Sequence, residues 1–141
     1  MIVRSLHIIG MVSLLAVAGC GGNSDLASVT GTVTLDGEPL EGAAVVFAPT
    51  SAGATAYGRT DAQGRYEMMF SDDEKGAWLG ENIVRISTED VGSGDSPARP
   101  EVVPAIYNQR STLRANVEKK ANTFDFALES DAGRVIQSLK E

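Results

Sequence analysis

The sequence predicts one all-β domain, a single seven-strand antiparallel β-sandwich. Three observations carry that expectation. From Val29 onward apolar residues recur at every second position, the runs are broken by short clusters of turn formers, and no internal segment holds a helical period. The roughly 100 residues from 29 to 128 suffice for one hydrophobic core and are too few for two.

Each strand has its own signature. Val29, Gly31, Val33 and Leu35 alternate with Thr30, Thr32 and Thr34, giving an apolar face and a hydroxyl face. Asp36-Gly37 supplies a tight turn, and Glu38-Pro39-Leu40-Glu41-Gly42 continues the reversal. Val45 and Phe47 alternate with Ala44, Val46 and Ala48 until Pro49, which lacks the N–H a central strand needs. Residues 55–60 form a weaker run, supported by Asp61-Ala62-Gln63-Gly64, whose Asp and Gly occupy the first and fourth positions of a type I turn. Tyr66, Met68 and Phe70 then alternate with Arg65, Glu67 and Met69.

Asp72-Asp73-Glu74-Lys75-Gly76 is polar and turn-rich, and Trp78 to Glu81 leads into a strand over 82–88. A long break from Glu89 to Ser111 contains Gly92, Gly94, Pro97, Pro100 and Pro104. It exceeds the usual connection length, and loops of that length are either functional or simply mobile. Leu113, Ala115 and Val117 resume the alternation, and after a turn over 118–122 Phe124, Phe126 and Leu128 complete it. In the last stretch Val135, Ile136 and Leu139 stand at helical spacing behind Ser130-Asp131, so 129–141 is expected to be a tail or a short marginal helix.

Ahead of the domain the chain has the parts of an export signal: Arg4 with the free amine, a mostly apolar run from Ser5 to Val17, then Ala18 and Gly19. That run is shorter than the roughly 20 apolar residues needed to span a bilayer. Val17-Ala18-Gly19-Cys20 resembles the lipobox of bacterial lipoproteins, with Val17 in place of the more usual Leu. The resemblance implies cleavage between Gly19 and Cys20, and a lipid on the thiol and on the new amine of Cys20. Two or more acyl chains anchor stably where one holds only marginally. Cys20 is the one cysteine of the chain, so it has no intramolecular disulfide partner. The expected organisation is therefore 1–19 signal peptide, 20–28 lipidated flexible tether, 29–128 sandwich and 129–141 tail. The expected address is the cell envelope, and Gly21 resembles sorting to the outer membrane in a source with two membranes.

Cleavage also narrows the chemistry. It removes Arg4 and His7, the only histidine, leaving 11 cations (12 less Arg4) against 19 acids, a net charge of −8. Nucleic-acid binding is not expected, because phosphate contacts need clustered cations. Neither a Ser-His-Asp nor a Cys-His nucleophile system can be assembled, nor a zinc site with His or Cys ligands. No cofactor is expected.

The order Val29-Thr30-Gly31-Thr32-Val33-Thr34-Leu35-Asp36-Gly37-Glu38-Pro39-Leu40-Glu41-Gly42-Ala43, then Val45-Val46-Phe47, then Gly58-Arg59-Thr60-Asp61-Ala62-Gln63-Gly64-Arg65-Tyr66 resembles the carboxypeptidase regulatory-like domain, a transthyretin-type (prealbumin-like) Greek-key sandwich. Val103-Pro104-Ala105-Ile106-Tyr107-Asn108, Ser111-Thr112-Leu113 and Asn122-Thr123-Phe124-Asp125-Phe126 are similar to small lipoproteins of this kind abundant in planctomycete bacteria. The resemblance spans residues 29 to 128 and implies a non-catalytic accessory module of exported proteins. These motifs are turn and core residues, which specify fold rather than activity. The histidines and terminal Tyr-Arg-Gly-Ser of hydroxyisourate hydrolases of this type are missing from the mature chain, so that activity is not expected. Sandwiches of the collagen-adhesin B type can form a Lys–Asn crosslink from a first-strand lysine; residues 29–35 contain none, and no crosslink is expected.

Few residues stand out as binding candidates. Trp78 and Tyr107 lie in or beside predicted loops, where aromatics stack on sugars or anchor an interface; the plain alternative for Trp78 is a cap on one end of the core. Asp72, Asp73 and Glu74 match no calcium-loop spacing and read as a solvated acidic turn, so no metal is expected. The 19 acids offer no way to place a glycosidase pair. The expected function is thus a lipid-anchored module, held in the membrane through Cys20, that presents its loops to an envelope protein or polysaccharide. The alternatives are a purely structural envelope component and a hydrolase using carboxylates or a bound metal.

Overall fold

A computed structural model describes residues 25–138. Gly19, Cys20 and the export signal lie outside the described residues, as do 139–141. The described chain is all-β, with strands in two main sheets and a small ribbon, an arrangement consistent with a β-sandwich.

The first main sheet is built on β2 (Val29–Leu35), which follows a two-residue strand β1 (Leu26–Ala27). On one edge β2 pairs antiparallel with β3 (Glu38–Pro39) and β6 (Arg65–Glu67). The second sheet runs in the order β5 (Ala56–Arg59), β4 (Ala44–Pro49), β8 (Gly80–Ser87) and β9 (Arg114–Val117). The ribbon pairs β1 with β7 (Ala77–Trp78). A single 3-10 turn, Ala105–Tyr107, interrupts the long loop.

The turns follow the local chemistry. Leu35 opposes Glu38 across Asp36-Gly37, whose φ values of 53° and 84° are those a two-residue hairpin requires. In the second turn the Gly64 N–H donates to the Asp61 carbonyl at 2.9 Å, and Asp61 Oδ1 accepts from the N–H groups of Gln63 and Arg65, each at 2.9 Å. The bond from the Arg65 N–H, foremost, holds the Asp61 carboxyl below its ordinary range.

Strand faces alternate as predicted. Val29 and Val33 from the first sheet meet Val45, Phe47, Val84 and Ile86 from the second, all fully buried. Phe47 is the keystone, its ring 5.9 Å from Phe124 and 6.4 Å from Phe126. Burying such a side chain contributes about 1.5–3 kcal/mol.

Three expectations need correcting. The pairing is not antiparallel throughout, because β10 (Asn122–Thr123) and β11 (Phe126–Leu128) run parallel to β2 on its other edge. The cause is direction: β9 descends toward the end where β2 begins, so the next strand must ascend beside β2. Leu26 and Ala27 belong to a paired strand rather than a flexible tether, and the Leu79 N–H donates to the Asp25 carbonyl at 2.9 Å. The run from Tyr66 stops as a strand at Glu67, beyond which Met69 makes single bridges to Tyr57 and Lys75. Of the tail and the short helix expected over 129–141, the described residues 129–138 take the form of a tail. There the Arg134 carbonyl accepts from the Ala105 N–H at 2.8 Å, and the Gln137 side-chain amide clasps the backbone of Glu101 through bonds of 2.8 and 2.7 Å. Those contacts dock the tail on the loop.

Between β10 and β11 the ladder breaks. The Phe124 N–H still donates to the Thr30 carbonyl at 2.9 Å, but at the next step Asp125 Oδ1 takes the place of a backbone carbonyl and accepts the Thr32 N–H at 2.9 Å. The displaced Phe124 carbonyl accepts from the Tyr66 hydroxyl at 2.6 Å. A Cβ on Gly31 would lie 1.8 Å from that carbonyl oxygen, so only glycine fits between them.

Candidate interaction surface

The strand directions give the domain two distinct ends. At one end lie Asp25, the β1–β7 ribbon, the acidic turn over 72–74 and the turn over 118–121. At the other lie the Asp36-Gly37 and Asp61–Gly64 turns, the loop over 89–111 and the tail over 129–138. We call the first the entry end and the second the distal end.

Trp78 sits at the entry end, half-buried, opposite Leu26. Its ring centroid is 6.0 Å from that of Phe70, and the backbone at Gly53 lies so close that an added Cβ would fall 2.6 Å from the indole. The ring is partly covered by Phe70 and by the backbone at Gly53. Asp72, Asp73 and Glu74 are close by; the Glu74 carbonyl accepts the Phe70 N–H at 2.8 Å, and Asp73 accepts from the Ser71 hydroxyl at 3.2 Å. Among the described residues no group of three or more His, Cys, Asp or Glu converges to hold a metal.

Tyr107 sits at the distal end, so the two aromatic candidates are not brought together. It is half-buried against the core, and its hydroxyl accepts the Glu129 N–H at 3.3 Å, tying the tail to the loop.

The residue that organises the distal end is Glu101, which the sequence pattern did not single out. It is 4% exposed. Its Oε1 accepts the N–H groups of Thr88 and Val103, both at 3.0 Å, and of Val102 at 3.1 Å, while Oε2 accepts the Ser87 hydroxyl at 2.5 Å. Such bonds satisfy a buried carboxylate that has no cation beside it. Their effect is to clamp the middle of the loop, residues 101–103, onto the end of β8 at Ser87 and the adjoining Thr88. The loop is fastened elsewhere too: Arg99 donates to the carbonyls of Gly42 and Glu41 at 3.2 and 3.1 Å, Asp90 pairs with Arg59 at 3.5 Å, and the Ser111 hydroxyl donates to the Val84 carbonyl.

This frame carries most of the exposed large apolar side chains. Of the five large apolar side chains exposed among the described residues, Val91, Val102, Ile106 and Val135 belong to the loop or the tail. The fifth is Tyr57. Ile106 and Val135 also line a groove of about 490 Å³ between the 3-10 turn and the tail, together with Arg110 and Arg134. Comparison with known proteins adds nothing to this geometry. No protein-family model matches the chain, and no curated protein does.

Pro-Glu-Val-Val-Pro, an acid enclosed by apolar residues in a loop, was the available signal for Glu101. Arg110 and Arg134 left no such trace, because what brings them together is the docking of the tail.

Proposed function

We propose that the chain is a lipid-anchored, non-catalytic module of the cell envelope, of the transthyretin-type carboxypeptidase regulatory-like kind, that offers its distal end to a partner. The observation that carries the reading is the segregation of exposed apolar side chains to that end, since clustered apolar surface on a folded domain marks interaction sites.

The anchor geometry supports the same reading. Cys20 precedes Asp25 by five residues, a span of at most roughly 18 Å when extended. Anchored through Cys20, the domain keeps its entry end beside the bilayer and its distal end facing away. Export with the lipobox cleaved leaves no histidine or free thiol for acyl transfer, which favours binding over hydrolysis.

Photocrosslinking in the envelope tests this. A photoreactive residue at position 102 or 106 should give discrete crosslinked species, and one at position 51 or 72 should give none of them. Equal crosslinking from both ends, or none from either, would defeat the proposal.

A further inference from the structure

The groove at the distal end has a chemistry of its own. Ala105 and Ile106 of the 3-10 turn form one wall, and Val135 and Ile136 of the tail form the other. All four side chains are aliphatic, and no aromatic ring lines the groove. Its volume of about 490 Å³ falls within the roughly 300–1,000 Å³ of sites that hold small ligands or side chains.

Both arginines of the groove are exposed, and among the described residues neither is paired with a carboxylate. Arg85, Arg99, Arg114 and Lys119 share that lack of a carboxylate partner among the described residues, and four other cations do not. Arg59, Arg65, Lys75 and Lys120 each have an acidic partner within 3.5 Å. In a chain with a large excess of acids, two guanidinium groups without a carboxylate partner give this aliphatic groove a local positive field.

Resting on the reading that the distal end is the docking end, we infer that this groove binds an acidic peptide segment in which an aliphatic side chain is flanked by carboxylates. The aliphatic side chain fills the groove between Ile106 and Val135, and the carboxylates meet Arg110 and Arg134. A guanidinium recognises a carboxylate through two parallel N–H bonds, a match that a neutral amide does not reproduce. A polysaccharide is the poorer occupant, because sugar rings stack on aromatic faces and this groove has only aliphatic ones.

The test uses the full lipidated chain in detergent micelles and blocked peptides of sequence Gly-Glu-Leu-Glu-Gly. Calorimetry or fluorescence anisotropy should detect binding that weakens at least tenfold when both Glu become Gln, when Leu becomes Gly, or when Arg110→Ala and Arg134→Ala are combined. Unchanged melting of that double variant shows that the fold survives, and Arg110→Lys with Arg134→Lys should recover part of the affinity. Rising salt should weaken binding to the wild type and have little effect on the double variant. Absence of binding at millimolar peptide, indifference to the arginine changes, or equal binding of an oligogalacturonate would each overturn the inference. The crosslinks from positions 102 and 106 would persist in any of those cases if the distal end still docks a partner of other chemistry.

Discussion

The Tyr66 hydroxyl crosses beneath β2 to donate a 2.6 Å hydrogen bond to the Phe124 carbonyl, a contact that joins β6 on one edge of β2 to the break between β10 and β11 on the other. Gly31 makes the crossing feasible, since Tyr66 is its direct partner in β6 and any side chain at 31 would strike both ends of the bond. Thr-Gly-Thr in the first strand and Gly-Arg-Tyr after the second turn are therefore two halves of one device.

Tyr66→Phe should cost about 1–3 kcal/mol, because the Phe124 carbonyl would lose its partner in a buried site. The loss is read as a lower denaturation midpoint with unchanged slope. A pH signature accompanies it. Burial, and then the charge of Asp125, push the Tyr66 phenol well above its ordinary value. The unfolded chain then ionises first, above about pH 10, so this contribution is complete below that pH and is lost as pH rises further. Wild type should lose stability above pH 10 more steeply than Tyr66→Phe.

Gly31→Ala should be worse, about 3 kcal/mol or more, since its Cβ would sit 1.8 Å from a backbone oxygen that cannot swing away. Thermal melting against Thr30→Ala, a change at an exposed position of the same strand, separates this clash from a general strand effect.

Glu101→Ala should cost about 2–5 kcal/mol by leaving the Thr88 and Val103 N–H groups without an acceptor. Hydrogen exchange localises the effect: those amides and the Ala105 amide should lose protection before the amides of β4 and β8.

Asn82→Asp tests an oddity of the second sheet. The Asn82 amide nitrogen donates to the carbonyls of Trp78 and Gly80, both at 2.9 Å, while its fully buried carbonyl oxygen has no partner among the described residues. A carboxylate there would face two carbonyl oxygens and must hold a proton to remain. Its folded pKa would be raised, so the variant should lose stability as pH rises from about 4 toward neutrality. Melts at pH 4 and pH 7 should show the larger deficit against wild type at pH 7.

Cys20→Ser should remain unlipidated and move from the detergent to the aqueous phase on phase separation. A variant that still partitions with membrane would remove the anchor from the proposed function.

What the sequence disclosed was mostly local. The hairpin at Asp36-Gly37 and the turn at Asp61–Gly64 are dictated within four residues, and the alternation over 29–35 settles which face of β2 is buried. The parallel return of β10 and β11 was not legible, because alternation assigns faces and says nothing of direction. The distal groove was equally hidden: Arg110 and Arg134 line it together because the tail docks on the loop, through contacts such as Gln137 with Glu101, which spans 36 residues between segments that lack any periodic pattern.

The parallel return of the last strand has a mechanical meaning. With β10 and β11 ascending beside β2, a pull between an anchored N-terminal lead and a partner gripping the C-terminal tail acts along the strands. The hydrogen bonds joining β2 to β10 and β11 would then be loaded together in shear rather than peeled one after another. Under such a load the fold would carry tension along its strands.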